Sequence, residues 1–284
     1  MECRAVRKTR RFKVSNPILK LFLWLYMCIS LYPLVYLIFY SLKTNDEIFN
    51  TNPFGIPTSF QWDNYVRAVH AFDVLLYMKN SAFVSVISVA GILLFSLTFA
   101  YASARMEWRL RKLASTYMIV GLFVPGATTL IPLAILLKHL HLINTFGALI
   151  IPYIAGNLSF SILIFYGFFR TIPKEMEESA FIDGAGIYRT FARIILPLVI
   201  PAFTVVLILS FIGVWNEFTI ANTFISSQKL KTLPIGLIFF SGTHFTDWGA
   251  MGASLVIASI PVIVIYVLFS EQIERALTVG SAVK

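Results

Sequence analysis

The chain predicts an all-α polytopic membrane protein with six transmembrane helices and both termini in the cytoplasm. Two observations carry this. Of 284 residues, 58% are hydrophobic and only 13% charged, and the charges gather between long apolar runs. Residues 80–104 contain no Asp, Glu, Lys or Arg, a stretch long enough to cross the roughly 30 Å hydrocarbon layer as a helix. A soluble all-helical protein would need a polar face on most helices, and these segments lack one.

The predicted spans are residues 19–42, 80–104, 113–137, 146–169, 198–222 and 249–270. At about 1.5 Å rise per residue each crosses the bilayer with modest tilt. The first is longer than the apolar core of a secretory leader, and no small-x-small cleavage pattern follows before Ser41-Leu42-Lys43; it is read as a retained helix. Between spans one and two, Asn52-Pro53, Gly55 and Pro57 break local structure. Trp62, Tyr65, Val66 and Val69 then have helical spacing, which suits a short interfacial helix. After span five, residues 232–237 (Thr-Leu-Pro-Ile-Gly-Leu) predict a short re-entrant or surface helix. Both external segments are too small to fold as independent binding domains.

Lys and Arg set the direction. The side holding both termini carries 17 of them, from Arg4 and Lys13 through Arg105, Arg111, Arg170 and Arg193 to Lys284, and the opposite side carries six. The positive-inside bias places the richer side in the cytoplasm. The net charge of +9 is therefore a topology signal, and the basic tail next to a span anchors to membrane lipid rather than nucleic acid. The resulting organisation is a tail over residues 1–18, a six-span domain over 19–270 and a tail over 271–284. Cys3 and Cys28 fall in different compartments and form neither a disulfide nor a metal site. His70, His139, His141 and His244 fall in external connections, without a metal-ligand pattern.

The cytoplasmic loop at 170–197 is the most informative connection. Pro173 suits a helix opening, and Glu175, Glu177 and Glu178 suit its positive N-terminal end. Gly184 and Gly186 allow a turn. A second helix follows, with an apolar stripe of Ile187, Phe191, Ile194 and Ile195 and with Arg189 and Arg193 on another face. Pro197 and Pro201 mark entry into span five. Two short helices joined by a glycine turn can transmit displacement from a soluble partner, or lie on lipid. No glycine-rich loop ending in Gly-Lys-Ser/Thr is present, so ATP hydrolysis belongs to another chain.

Glu178-Ser179-Ala180, Gly184 and Ile194-Ile195-Leu196-Pro197 resemble, at matching spacing, the Glu-Ala-Ala…Gly…Ile-x-Leu-Pro signature of permease subunits in binding-protein-dependent ABC importers. Ser179 is the one departure, and Asp183-Gly184-Ala185 agrees with the extended form. The likeness covers nearly the whole chain and is strongest to the shorter permease of maltose-type carbohydrate importers. It is supported by residues 142–145 (Leu-Ile-Asn-Thr), 215–218 (Trp-Asn-Glu-Phe), 233–237, Asp247-Trp248 and the tail at 277–284.

The resemblance implies the type I importer permease fold. It also implies a second homologous permease, two ATPase subunits using ATP and Mg, an extracytoplasmic solute-binding protein and a sugar, an oligosaccharide first. Glu175, Glu177, Glu178, Ser179, Ala180, Asp183, Gly184, Ala185, Ile194, Leu196 and Pro197 are the implied ATPase-coupling residues, and residues 278–284 extend toward the ATPase pair. This chain itself is expected to bind no cofactor and to perform no catalysis.

Trp215, Asn216 and Glu217 are candidates for the pathway or substrate, because aromatic rings stack on sugars and amides bond hydroxyls. Gate packing and helix pairing are the other readings of this triplet. Glu217 is the only acidic residue in the predicted spans, so it faces an aqueous cavity or pairs inside the bundle. The rival functions are a permease for a polyol or glycerol phosphate, an ion-coupled secondary transporter, a membrane-embedded enzyme and a scaffold. The spans hold no paired carboxylates, and the loop signature has no place in the last three.

Overall fold

A computed structural model of the chain describes residues 17–71, 73–240 and 246–281. Arg4 to Lys13, Cys3, His244 and Lys284 lie outside the described residues. Helix α1 (Pro17–Ser41) leads through a π-helical turn at Glu47–Thr51 to α2 (Asp63–Ala71). Then come α3 (Val74–Arg105), α4 (Arg111–Val120), α5 (Gly126–His139) and α6 (Gly147–Thr171). The short α7 (Glu175–Ile182) and α8 (Ile187–Thr190) precede α9 (Leu196–Trp215). The chain closes with α10 (Thr219–Phe224), α11 (Leu233–Gly236) and α12 (Trp248–Ser281).

Among the described residues five helices are long and apolar enough to span a membrane, and the bent pair α4–α5 makes a sixth if counted as one span. The span expected over 113–137 is thus sharply bent. Its two halves meet at 109°. Pro125 lacks an N–H and pushes Val124 out of helical geometry, to φ −84° and ψ 112°, so the turn at Val124-Pro125-Gly126 follows from sterics. The fifth span is also redrawn. A continuous helical path runs from Ile187 to Trp215, beginning earlier and ending earlier than 198–222. Its π-helical turn at Phe191–Ile195 lies directly before Pro197, where a proline disrupts ordinary i→i−4 pairing. Helix α12 extends to Ser281, so most of the expected C-terminal tail continues span six.

Helix α3 is the bundle's centre, packing against α6 and α9, while α12 packs on α9, α1 and α2. One face of α3 presents Ser81, Ser85, Ser88, Ser96, Ala100 and Ser103, all buried. Small residues let helix backbones approach where lipid offers no hydrophobic drive for association. Gly91 shows how close this is: a Cβ there would sit 2.5 Å from Ile154 Cδ1. Phe165, Phe169, Ile92, Leu149, Ile195 and Val199 fill the core. Residues 17–35 of α1 are exposed throughout, as suits a helix facing lipid.

The expected interfacial helix is α2, beginning one residue after Trp62. A buried polar knot anchors the segment ahead of it. Lys43, 1% exposed, donates to the carbonyls of Asn52 (2.6 Å) and Pro53 (3.1 Å). Glu47 accepts from the Thr58 N–H at 2.8 Å and from the Thr58 hydroxyl. Arg67 bonds Asp247 at 2.8 Å and also pairs with Asp63, tying α2 to the start of α12.

Candidate coupling surface and cavity-lining residues

Helix α7 places all three of its glutamates in the first turn, where the helix dipole favours negative charge. Its other end closes as a Schellman motif. The Ala185 N–H reaches the Ala180 carbonyl (2.9 Å), and the Gly184 N–H reaches that of Phe181 (3.0 Å). Gly184 itself takes φ +78°, the left-handed geometry this cap requires and glycine adopts at least cost. Gly186 is extended at φ −73° and ψ 164°, so Gly184 alone makes the reversal. The spacing from Ala180 to Gly184-Ala185 is thus the spacing of a helix C-cap.

The protrusion has two faces. Glu175, Glu178, Ser179, Asp183 and Gly184 are exposed, as are the large apolar tips Ile182 (86%) and Tyr188 (88%). Ala185, Ile194 and Leu196 are half-buried, Pro197 is exposed, and Ala180 and Ile195 are buried. Glu177 differs from the partner-facing set in which the sequence placed it. It turns into the chain, with Oε2 3.8 Å from Arg105 Nε and Tyr101 beside it. Tyr101 in turn packs against Phe191 (4.7 Å between ring centroids) and Phe169 (5.5 Å), and the Arg105 guanidinium donates to the Ile172 carbonyl. Arg105, counted from sequence only as a topology charge, thus joins α3 to both ends of the α6–α7 connection. Its place in the last turn of α3, facing a loop rich in glutamate, is the signal that could have revealed it.

Trp215, Asn216 and Glu217 are neighbours in sequence but serve different neighbourhoods. Trp215 is 3% exposed, stacks on Phe211 and donates to the Ala258 carbonyl at 3.1 Å, locking α9 to α12. Asn216 is exposed and, with Trp215, lines a cavity of about 490 Å³ between α9, α11 and α12. Glu217 borders a different cavity, about 550 Å³, between α5, α6 and α10. Its carboxylate accepts the Tyr153 hydroxyl at 2.6 Å and the N–H groups of Ile220 (2.8 Å) and Ala221 (3.2 Å). Glu217 therefore caps α10 and fastens it to α6 while bordering the cavity.

The minor sequence signals also acquire geometry. Asn144, at φ +62°, accepts from the Ser226 and Ser227 N–H groups, pinning the α5–α6 turn to the segment after α10. The Leu233 N–H donates to the buried Ser81 hydroxyl at 2.8 Å, seating α11 against α3. Among the described residues no group of three or more His, Cys, Asp or Glu is placed to hold a metal.

The chain belongs to the family of binding-protein-dependent transport system inner membrane components, which it matches over residues 92–279. It is 31% identical to the diacetylchitobiose uptake system permease of Streptomyces coelicolor, over 98% of this chain and 91% of that one. It is 32% identical to the trehalose/maltose transport system permease of Thermococcus litoralis, over 89% and 91%. In fold it resembles a chain of a bacterial ABC transporter involved in import of the acidic polysaccharide alginate, with TM-score 0.76, 20% identity and coverage of 94% and 99%. The protein is an inner-membrane transport component rather than an enzyme.

Proposed function

We propose that this permease carries a sugar of oligosaccharide size, as the shorter of two paired permeases that together form the pathway. Two ATPase subunits, which consume ATP and Mg, dock on the α7–α8 protrusion, and an extracytoplasmic binding protein delivers the sugar. Both termini lie in the cytoplasm. Closure of the ATPase pair draws the protrusion with it and turns the cavity outward, and hydrolysis returns it inward. The sugar assignment is supported by the relatives' uptake of diacetylchitobiose and of trehalose and maltose. The observation that carries the coupling assignment is the Schellman cap at Gly184, which presents exposed apolar and acidic side chains on a rigid turn. From that turn the helical path runs unbroken through α8 into α9, so displacement enters span five without a flexible joint. Glu175, Glu178, Ser179 and Asp183 face the ATPase. Glu177 and Ala180 seat the helix on its own bundle. Of the span-five triplet, Asn216 is the side chain free to meet a passing hydroxyl.

The Gly184 surroundings separate backbone strain from docking. A Cβ there meets nothing within 4 Å inside this chain, so Gly184→Ala carries only the left-handed backbone cost of about 1–2 kcal/mol. Gly184→Trp adds bulk that only a docked partner would feel. In a strain lacking the native gene, labelled-oligosaccharide uptake should be restored by wild type and largely by Gly184→Ala. Gly184→Trp, at matched membrane abundance, should not restore it. Normal uptake by Gly184→Trp would refute docking at this turn.

A further inference from the structure

The arginine-rich end of the bundle carries a second built feature that the transport cycle does not use. The α3–α4 connection, the first turns of α4 and Tyr166 of α6 enclose a cleft of about 650 Å³. Arg109, Arg111 and Lys112 line it, with the hydroxyl groups of Ser115 and Thr116, and Glu107 is its one carboxylate. The Arg170 guanidinium lies 5.9 Å from the Tyr166 ring centroid, bringing a fourth cation to the rim. Among the described residues none of these four cations has a carboxylate within ion-pair distance. Arg111 donates only a long 3.5 Å contact to the Met106 carbonyl.

This cleft does not end where the charge ends. It shares Ser115 and Tyr166 with a narrow cavity of about 100 Å³. That cavity shares Met118 and Ile162 with an apolar groove of about 420 Å³, lined also by Phe95, Phe99 and Leu158. At the narrow waist lies Ser103, 1% exposed, one of the residues lining the cavity, and its hydroxyl has no hydrogen-bond partner among the described residues. Unpaired buried hydroxyl groups are costly. Cations outside, a free hydroxyl at the waist and an apolar track along α3, α4 and α6 within the bilayer form an amphipathic series.

We propose that this series is a binding site for one anionic phospholipid, its phosphate at Arg109, Arg111 and Lys112 and an acyl chain in the groove. The Ser103 hydroxyl serves an ester carbonyl at the waist. A free phosphate would use the cations but have no need of the groove. A zwitterionic lipid would fill the groove but gain less from the net positive mouth. Trp108, whose indole N–H donates to the Ala102 carbonyl at 3.2 Å, closes the mouth at the depth where aromatic residues meet head groups. Bound there, the lipid wedges α4 against α6 and steadies the half of the broken span nearest the arginine-rich surface.

The test uses the intact importer complex, stripped of lipid by detergent exchange. It is titrated with phosphatidylglycerol or with phosphatidylcholine of the same acyl chains, and bound lipid is counted by native mass spectrometry. Wild type should retain one phosphatidylglycerol that Arg109→Gln/Lys112→Gln holds about thirtyfold more weakly, and phosphatidylcholine should not substitute. Met118→Trp, which fills the waist from a half-exposed position, should also lose the lipid. Inorganic phosphate should fail to displace it at concentrations that leave the complex intact. Equal retention by wild type and the charge variant would overturn the proposal. Ready displacement by inorganic phosphate, with Met118→Trp unaffected, would make this a free-anion site, and equal phosphatidylcholine binding would make it an ordinary lipid contact.

Discussion

Glu177 and Glu178 differ by one position and have opposite surroundings. Both lie in an acidic first turn, and the sequence reading placed both on the ATPase-coupling surface although the signature itself begins at Glu178, because a linear pattern does not say which side of a short helix meets its own bundle. The structure separates them through Arg105, which approaches from α3, more than 70 positions away in the chain. With Glu177 removed, the Arg105 guanidinium is left nearly buried without its carboxylate, a change that typically costs about 3–5 kcal/mol. Glu177→Gln should therefore lower the thermal unfolding midpoint of the purified chain, freed of its partners, by several degrees, and Glu178→Gln should leave it unchanged. Replacing both partners, as Arg105→Met with Glu177→Met, should recover most of the loss, because the uncompensated charge then disappears. Equal midpoints for Glu177→Gln and Glu178→Gln would show that the pair does not hold α7 in place.

At the scale of elements, the sequence was most readable where apolar length alone decides structure. The span containing residues 80–104 appears as α3, which begins earlier at Val74 and ends at Arg105, and the helix at 146–169 appears as α6, shifted slightly to Gly147–Thr171. The bend in the third span was not read because the segment's composition is that of a continuous helix, and the Val124-Pro125-Gly126 backbone geometry interrupts it. The join of α8 to α9 was misread for the opposite reason. Pro197 resembles a helix start, yet the wider turn before it lets the helix run through. Trp215, Asn216 and Glu217 drew attention as a chemical set, but the helix ends among them and sends Glu217 to a different cavity from the one Trp215 and Asn216 line.

The external segment offers a test of an element held by polar contacts. Hydrogen bonds from the Thr58 hydroxyl hold the Glu47 carboxylate below its ordinary value of 4.5, against the opposing effect of burial; the backbone N–H groups of Thr58 and Thr44 and the Lys43 charge add to the lowering. A carboxylate whose folded value is depressed stabilises the fold above its unfolded value, and the stabilisation fades as pH falls through the folded one. Protease cleavage between Asn50 and Gln61 should thus stay slow at neutral pH and accelerate below the ordinary carboxylate range. Glu47→Gln should cleave faster at neutral pH and lose that pH dependence. A wild-type cleavage rate that is flat with pH would show that Glu47 does not hold this loop.

For the whole molecule, charge placement and motif converge. The basic residues that orient the chain also concentrate around α7, α8 and the mouth of the α4–α6 cleft, so the proposed ATPase docking surface and the proposed anionic-lipid site lie at one end of the bundle. The opposite end is tied by the hydrogen bonds of Lys43 and Glu47 and by the Arg67–Asp247 link, and it holds the two cavities flanking the end of α9. On the proposed function, energy input and solute entry fall at opposite ends of a bundle whose centre, α3, touches both the protrusion and α11. None of that long-range connection is written in local sequence. It depends on Arg105, Ser81 and Asn144 meeting partners that only the fold brings near. The central claim is that this chain is one permease of an ATP-driven complex docked through the α7–α8 turn. It is tested most directly by purifying the chain from native membranes in mild detergent and measuring the intact mass and identity of every subunit. One sister permease and two ATPase subunits should accompany it, and the ATPases should be lost from Gly184→Trp. A stable wild-type complex without an ATPase, under conditions that preserve an importer of known composition, would contradict it.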